Sequence, residues 1–138
     1  MKIVAQIENS EGKHLVNLIT NGKGQSLQIS PKRDGYGSSV NGGELLFLAL
    51  ATCYCNDIYR EAARRGVHVT RVEVEVEGEF GGPGDPAQNV RYRAKISGEA
   101  GREDLEALMR DTDLVAEIQN TLRAGISVLF AGGEVAGL

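Results

Sequence analysis

A stretch of 21 residues without glycine or proline, residues 45–65, constrains the fold of this chain more than any other feature. Its first half is apolar on all sides, which is typical of a helix buried in a protein core. Asn41 precedes the stretch as a suitable N-cap, and Gly66 follows it as a suitable C-cap. Arg64 and Arg65 lie where positive charge favours the carboxyl end of a helix. The sequence therefore predicts a long central helix that begins near Asn41.

Segments with strand character lie on both sides of this helix. Before it, residues 2–7, 14–20 and 25–30 are separated by turn-forming sequences, which predicts a three-stranded antiparallel sheet. After it, residues 67–80 alternate valine with glutamate, so one face should pack on the core and the other should face water. Residues 89–98 are expected to return antiparallel to that strand, after a turn rich in glycine and proline.

The last third of the chain is predicted to contain two short helices and a final strand. Residues 102–110 carry apolar side chains at helical spacing, and residues 113–123 form a second helical segment with Asp113 as its N-cap and Gly125 at its end. Residues 126–130 are predicted to be a strand. The expected fold class is α+β, with antiparallel sheets packed around the long helix in one domain that spans the whole chain.

The composition argues against several kinds of partner. The net charge is −4 and the basic residues are dispersed, whereas nucleic-acid binding relies on clustered lysine and arginine. The amino terminus lacks the apolar segment of a signal peptide, and the longest apolar run, residues 45–51, is too short to span a bilayer. Two cysteines so close in sequence do not make a disulfide framework. We therefore expect a cytoplasmic protein without a nucleic acid, membrane, metal or cofactor partner.

Cys53 and Cys55 both lie on the predicted helix. Positions two residues apart differ by roughly 200° of rotation, so these side chains diverge and are poorly placed for a disulfide or a shared metal ion. Cys55 shares its face with apolar residues and is predicted to pack in the core. Cys53 has apolar neighbours on its amino side and the ionisable Asp57 and Arg60 on its carboxyl side. Free cysteines are often buried and inert, but of the two Cys53 is the candidate functional thiol.

A reactive Cys53 would need a cation to lower the pKa of its thiol, because the helix dipole fades within the first turn. Arg33 lies in a glycine-rich loop just before the helix and could fold over Cys53. Lys13 and His14 lie at a junction between loop and strand, although His14 is more simply interpreted as a surface residue. The sequence leaves the choice among these cations open.

Residues 41–53, which read NGGELLFLALATC, resemble the central helix of OsmC/Ohr-like proteins, whose reactive cysteine has the same spacing. Residues 61–67, residues 72–78 and the tail from 101 to 128 are similar to the helix end, the next strand and the last helices of that family. The resemblance implies an intertwined homodimer with sites at its interface. It also implies reduction of organic hydroperoxides by a cysteine that becomes a sulfenic acid and is captured by a resolving cysteine.

The chain departs from the family pattern at the residues that assist this cysteine. The resolving cysteine belongs in the second short helix, where residues 117–119 read EIQ, and no cysteine follows Cys55. In the family an arginine and a helix-opening glutamate lower the pKa of the thiol. That glutamate falls on Gly43, with Glu44 one residue later, and no arginine precedes Arg33. The resemblance therefore leaves a single thiol at the family position.

The predicted site consists of Cys53, Arg33 and Glu44. One hypothesis is a thiol-dependent reductase of hydroperoxides in oxidative or osmotic stress defence, which uses an organic hydroperoxide and an external thiol. An alternative is a dimeric protein without catalysis that binds a small apolar or thiol-reactive ligand. A third is a purely structural or interaction protein.

Overall fold

The computed structural model describes residues 1–137, which form two compact units. The first unit, Met1–Leu46, contains three strands and the start of the long helix, and the second unit begins at Phe47. In chain order the elements are β1 (Ile3–Ser10), β2 (Lys13–Thr20), β3 (Lys23–Ser26), α1 (Gly42–Arg64), β4 (His68–Glu79), β5 (Gln88–Glu99), α2 (Arg102–Val115) and α3 (Glu117–Ala124).

The first unit contains an antiparallel sheet in the order β1-β2-β3, as the sequence predicts. Asn21 and Gly22 connect β2 to β3 with φ angles of 49° and 80°, a left-handed conformation that favours glycine and asparagine in tight hairpins. This turn pairs Thr20 directly with Lys23. β3 therefore begins two residues earlier than predicted, and it ends at Ser26 rather than at residue 30.

Both ends of α1 are fixed by local hydrogen bonds. The Glu44 amide donates to Asn41 Oδ1 over 2.8 Å, and the Asn41 amide donates to Glu44 Oε1 over 3.0 Å, which is a reciprocal capping box. At the other end Gly66 has a φ of 66°. The Val67 amide donates to the Ala62 carbonyl over 2.9 Å, as expected for a left-handed helix termination. The predicted long helix is confirmed. No helix in the described part of the chain is long and apolar enough to cross a membrane.

The β4–β5 hairpin has one apolar and one charged face, as the alternation predicts. Val72 and Val74 are half-buried and pair with Ile96 and Ala94. On the opposite face, glutamates of β4 lie across from basic residues of β5, which favours this register. These pairs are Glu73↔Lys95, Glu75↔Arg93 and Glu77↔Arg91.

The core of the second unit joins α1, α2 and the hairpin. Its buried members are apolar residues from all three: Tyr54, Ile58 and Ala62 of α1, Val69 of β4 and Leu108 of α2. The Tyr54 hydroxyl donates to the Met109 carbonyl over 2.8 Å, and the Tyr54 ring meets the Tyr92 ring edge-on at 5.0 Å between centroids. Tyr54 therefore links α1 to both α2 and the hairpin.

A ring-on-backbone contact joins the beginning of α1 to the far end of the hairpin. A Cβ atom at Gly78 would lie 2.7 Å from Cζ of Phe47, and the Phe47 ring stacks on Phe80 with 5.8 Å between centroids. The register of the hairpin also shifts between Glu77 and Glu79. Glycine at position 78 therefore leaves room for an aromatic ring against the strand.

The predicted boundary between the last two helices is wrong. α2 continues through Asp113 to Val115, and the break falls at Ala116, whose backbone is extended with φ −71° and ψ 108°. Asp113 therefore caps no helix. Its carboxylate instead accepts hydrogen bonds from Arg123 Nη2 at 2.7 Å and from the Tyr92 hydroxyl. Ala116 offers no capping side chain, so the sequence gives no local signal for this break.

The predicted final strand is also wrong, because residues 126–130 have no regular structure. In the described residues the two sheets contain only β1-β2-β3 and β4-β5, so this segment has no strand to pair with. Val128, Leu129 and Phe130 are each more than 80% exposed. A β-favouring sequence forms a strand only when a neighbour satisfies its backbone groups.

The face of α1 that carries Cys55 is less buried than predicted. Ile58 and Ala62 are buried as expected, but Leu48 is 58% exposed, Tyr59 is 43% exposed and Cys55 is half-buried. The prediction that Cys55 packs in the core is therefore wrong, because the buried face of α1 is centred on Tyr54, Ile58 and Ala62 and leaves Cys55 at its edge.

Candidate functional site around Cys53

Cys53 lies where α1 meets the first turn of α3. Its half-buried Sγ is 3.5 Å from Asp57 Oδ2, one helical turn further along α1. The same sulfur is 3.7 Å from Glu117 Oε2, and the backbone N–H of Ile118 donates a hydrogen bond to it. The neighbours of the thiol are thus two carboxylates and one amide, from residues as many as 64 positions away in sequence.

Arg60 is the cation of this site, and its charge is shared among carboxylates. Its Nη1 lies 3.1 Å from Asp57 Oδ1 and 2.8 Å from Glu117 Oε1. Its Nε lies 3.0 Å from Glu61 Oε2. Arg60 therefore ties α3 to α1 through Glu117 and balances the acidic side chains around the sulfur.

The surroundings of Cys53 favour its protonated form. Burial raises the pKa of the Cys53 thiol, and the charges of Asp57 and Glu117 raise it further. The hydrogen bond from the Ile118 amide lowers the pKa but does not outweigh these effects. At neutral pH the group is therefore a thiol whose hydrogen is available to Asp57.

Asp57 and Glu117 form a carboxyl pair with different proton affinities. Burial, together with the hydrogen bond to Glu117, raises the pKa of Asp57 to about 6. The same hydrogen bond is the main reason that the pKa of Glu117 falls to about 2. The Asp57 side chain is 8% exposed and that of Glu117 is 60% exposed, so the buried partner has the higher pKa. A group that gains and loses a proton near neutral pH thus lies beside the thiol.

Gln119 is the other buried polar side chain at this junction. It is 3% exposed, and its Nε2 donates to the carbonyl of Leu50 over 3.0 Å. Its Oε1 is buried and has no hydrogen-bond partner among residues 1–137, which the structure describes. Gln119 lies in the segment where the resemblance places the resolving cysteine. Sequence reasoning identified the missing cysteine there but not the buried amide.

The other predicted site residues lie in the first unit. Arg33 is exposed in the loop before α1, and Glu44 caps α1 as described above. His14 is half-buried, and its Nδ1 lies 3.0 Å from the Asn9 side-chain amide. The structure assigns a local contact to Glu44 and to His14, and the proposed action of Arg33 and Glu44 on Cys53 stays a prediction.

The acidic set around the sulfur also has the spacing of metal ligands. One potential ligand atom from each of Cys53, Asp57 and Glu117 lies within 4.8 Å of the others. Arg60 already contacts both carboxylates, so their charge is balanced by a side chain of the protein itself. The set therefore does not require a metal ion.

An α+β chain with a thiol on a long central helix, facing a short carboxyl-terminal helix, defines a class of small thiol proteins. The family model described as OsmC-like protein matches residues 35–130, and the chain belongs to this family. The resemblance and the fold class inferred from the sequence are thereby confirmed.

Solved structures with a similar fold come from several bacteria. An OsmC-like protein from Mycoplasma pneumoniae has 14% identity over 91% of each chain and a TM-score of 0.63. Organic hydroperoxide resistance proteins are also similar. That from Legionella pneumophila has 20% identity over 89% of this chain and 90% of its own, with a TM-score of 0.61. The protein from Elizabethkingia anophelis has 16% identity over 91% of this chain and 93% of its own, with a TM-score of 0.52. No curated protein matches the sequence significantly.

Proposed function

We propose that the protein is a thiol-dependent reductase of organic hydroperoxides in oxidative or osmotic stress defence, with Cys53 as its nucleophile. Membership of the OsmC-like family supports this class of reaction, as does the similarity to organic hydroperoxide resistance proteins. The observation that carries the proposal is the contact of the half-buried Cys53 sulfur with Asp57, a carboxyl group that titrates near neutral pH. Such a group can accept and return a proton during catalysis.

The first step forms a sulfenic acid on Cys53. As the sulfur attacks the terminal peroxide oxygen, Asp57 accepts the thiol proton and the O–O bond breaks. Asp57 then gives this proton to the alkoxide, which leaves as the alcohol. The sulfur is oxidised by two electrons, and the hydroperoxide is reduced by two. The Ile118 amide, which donates to the sulfur, stabilises the negative charge that develops during the attack.

The second half of the cycle uses an external thiol, because Cys55 is the only other cysteine and its side chain diverges from Cys53. An external thiol forms a disulfide with Cys53, and water leaves. A second external thiol then attacks this disulfide, which restores Cys53 and releases the oxidised external disulfide. Reduced thiols of this kind are abundant in the cytosol, so we place the protein there.

The two cysteines provide a matched test of this function. The experiment follows consumption of cumene hydroperoxide with a dithiol reductant for the wild type, Cys53→Ser and Cys55→Ser. We expect Cys53→Ser to abolish turnover and Cys55→Ser to retain it, because only Cys53 contacts the carboxyl pair. A wild-type rate no greater than that of Cys53→Ser contradicts the proposal.

The raised pKa of Cys53 favours a second candidate function. A thiol that stays protonated among carboxylates could mark a dimeric binding protein for a small apolar or thiol-reactive ligand. For this function we expect no hydroperoxide turnover, but a covalent adduct on Cys53 with an electrophilic probe such as an enone. The hydroperoxide assay distinguishes the two functions, and intact-protein mass spectrometry of the wild type and Cys53→Ser shows whether the adduct forms on Cys53.

We also propose that the protein acts as a homodimer, which the family resemblance implies. Large apolar side chains are exposed in both units, and a second copy could cover them. In the first unit these include Ile3 and Ile7, and in the second Leu48, Leu129 and Phe130.

A further inference from the structure

The unpaired oxygen of Gln119 is unusual for a buried amide. The Leu50 carbonyl can only accept a hydrogen bond, so the Gln119 amide must present Nε2 to it. This contact fixes the orientation of the amide and leaves Oε1 as the free acceptor. Buried acceptors without partners are rare, because desolvation without a hydrogen bond is unfavourable. An unpaired acceptor therefore suggests a state of the protein in which a donor is present.

The amide lies at the same junction as the reactive sulfur. Leu50 precedes Cys53 by three residues, so the two share one face of α1. Ile118, the neighbour of Gln119 in sequence, donates its backbone N–H to the Cys53 sulfur. Gln119 is thus held between the α1 turn that precedes Cys53 and the α3 turn that contacts it.

Oxidation of Cys53 creates the missing donor. A thiol is a weak hydrogen-bond donor, whereas the hydroxyl of a sulfenic acid is a conventional one. Arg60 engages Asp57 Oδ1 and Glu117 Oε1. The other oxygen of each carboxylate faces the sulfur and competes with Gln119 Oε1 for the new hydroxyl. The new oxygen comes from the hydroperoxide, whose remaining part leaves as the alcohol.

We propose that Gln119 Oε1 accepts a hydrogen bond from the sulfenic acid of Cys53 and retains this intermediate until an external thiol arrives. This proposal rests on the proposed function, since it concerns an intermediate of that reaction. Gln119 is then a positioning residue that acts on the oxidised state. It protects the sulfenic acid from a second hydroperoxide, which would convert it to the irreversible sulfinic acid.

The test measures the lifetime of the intermediate in the full chain. One equivalent of cumene hydroperoxide is added without reductant, and the sulfenic acid is trapped with dimedone at successive times and quantified by mass spectrometry. Gln119→Leu removes the acceptor at similar size, and Gln119→Met is a second variant with a more adaptable side chain, in case the first does not fold. Asn120→Ala, an exposed amide of the same helix, is the matched control.

We expect the sulfenic acid to decay roughly three- to tenfold faster in the Gln119 variants, as for the loss of one hydrogen bond. Excess hydroperoxide should also produce more sulfinic acid in them. The rate at which the thiol is first consumed should change less than the decay rate, because the reduced thiol does not use Oε1 and loss of the Nε2 contact with Leu50 affects both steps. Asn120→Ala should match the wild type in both rates.

Two results overturn the inference in distinguishable ways. Equal sulfenic acid lifetimes in the wild type and the folded Gln119 variants refute the role of Gln119 and leave the reductase function standing. Failure of the wild type to form any sulfenic acid with the hydroperoxide refutes the reductase function, and the inference with it.

Discussion

Cys53 differs from a typical activated cysteine in the charges that surround it. Activated thiols usually lie beside cations or helix amino termini that lower their pKa. Here the sulfur receives one amide hydrogen bond and contacts two carboxylates, and its pKa is raised. A thiol with a raised pKa is less ionised at neutral pH, but its thiolate is intrinsically more nucleophilic. For the proposed reaction, proton transfer to Asp57 during the attack therefore fits these surroundings better than a preformed thiolate.

At the residue scale this arrangement predicts how Cys53 alkylation depends on pH. Because the pKa of the thiol is raised, the thiolate fraction stays small at neutral pH and increases about tenfold per pH unit below that pKa. The iodoacetamide rate at Cys53 should therefore still be rising at pH 9. Asp57→Asn removes a charge and an acceptor that raise the pKa, so it should accelerate alkylation at pH 7.5 by about three- to tenfold.

Site-resolved mass spectrometry between pH 6 and pH 10 measures the alkylation rate of Cys53 in the wild type and in Asp57→Asn, with Cys55 as an internal reference. The exposed Asp104→Asn is the control for a change of net charge, and it should leave the Cys53 profile unchanged. A wild-type rate that is already constant below pH 8 would show a preformed thiolate and refute this description.

At the element scale, contacts between elements that are distant in sequence hold the second unit together. Arg60 and Gln119 attach α3 to α1, and the Phe47 ring attaches α1 to the hairpin at Gly78. The contact at Gly78 has no spare room, since an added Cβ would approach Phe47 Cζ to 2.7 Å. A small change there should therefore affect two elements at once.

We predict that Gly78→Ala lowers the free energy of unfolding by about 1–3 kcal/mol, because the Phe47 ring must move off the strand. Gly42→Ala is a matched control: Gly42 begins α1 with nothing within 4 Å of an added Cβ. Alanine favours a helix, so this control should be neutral or stabilising by up to about 1 kcal/mol. Urea denaturation measures both, and equal stabilities of the two variants would contradict the packing described for Phe47.

The helix ends and the last segment differ in how well local sequence predicts them. The ends of α1 follow from Asn41 and Gly66, because caps act through hydrogen bonds within a few residues. The break between α2 and α3 occurs at Ala116, which has no capping side chain. The boundary was therefore predicted at Asp113, which has one. The residues 126–130 have strand character, but whether they form a strand depends on a pairing partner that local sequence cannot reveal.

The site was predicted only in part for a similar reason. Helical geometry separated Cys53 from Cys55, and it placed Asp57 on the same face as Cys53. The contact with Glu117 joins residues 64 positions apart, and no periodicity of the chain indicates it. The buried Oε1 of Gln119 could not be predicted either, because burial of one atom depends on how α3 packs against α1.

At the scale of the whole molecule, the exposed carboxyl-terminal segment provides a test of the proposed homodimer. We predict that light scattering after size-exclusion chromatography gives a molar mass twice the 14.8 kDa of one chain. Val128, Leu129 and Phe130 are almost fully exposed, and they could add a strand to a sheet of a second copy. Phe130→Asp should therefore shift the protein towards the monomer.

Val135→Asp is the matched control for this prediction. Val135 is 97% exposed in the same carboxyl-terminal segment but lies outside residues 126–130, so we expect its variant to keep the wild-type mass. A monomeric wild type, or an equal effect of both substitutions, would contradict the proposed pairing.

The hydrogen bond between Gln119 and Leu50 has a consequence for backbone motion. A resolving cysteine in α3 would have to bring its sulfur to about 2 Å from that of Cys53, with Cα atoms within about 7 Å, and then release it in every cycle. Gln119 makes no covalent bond, and its contact with Leu50 does not involve the reacting sulfur. In the proposed reaction α3 can therefore stay stationary while the oxidation state of Cys53 changes, so we expect turnover to need entry and departure of small molecules rather than displacement of a helix.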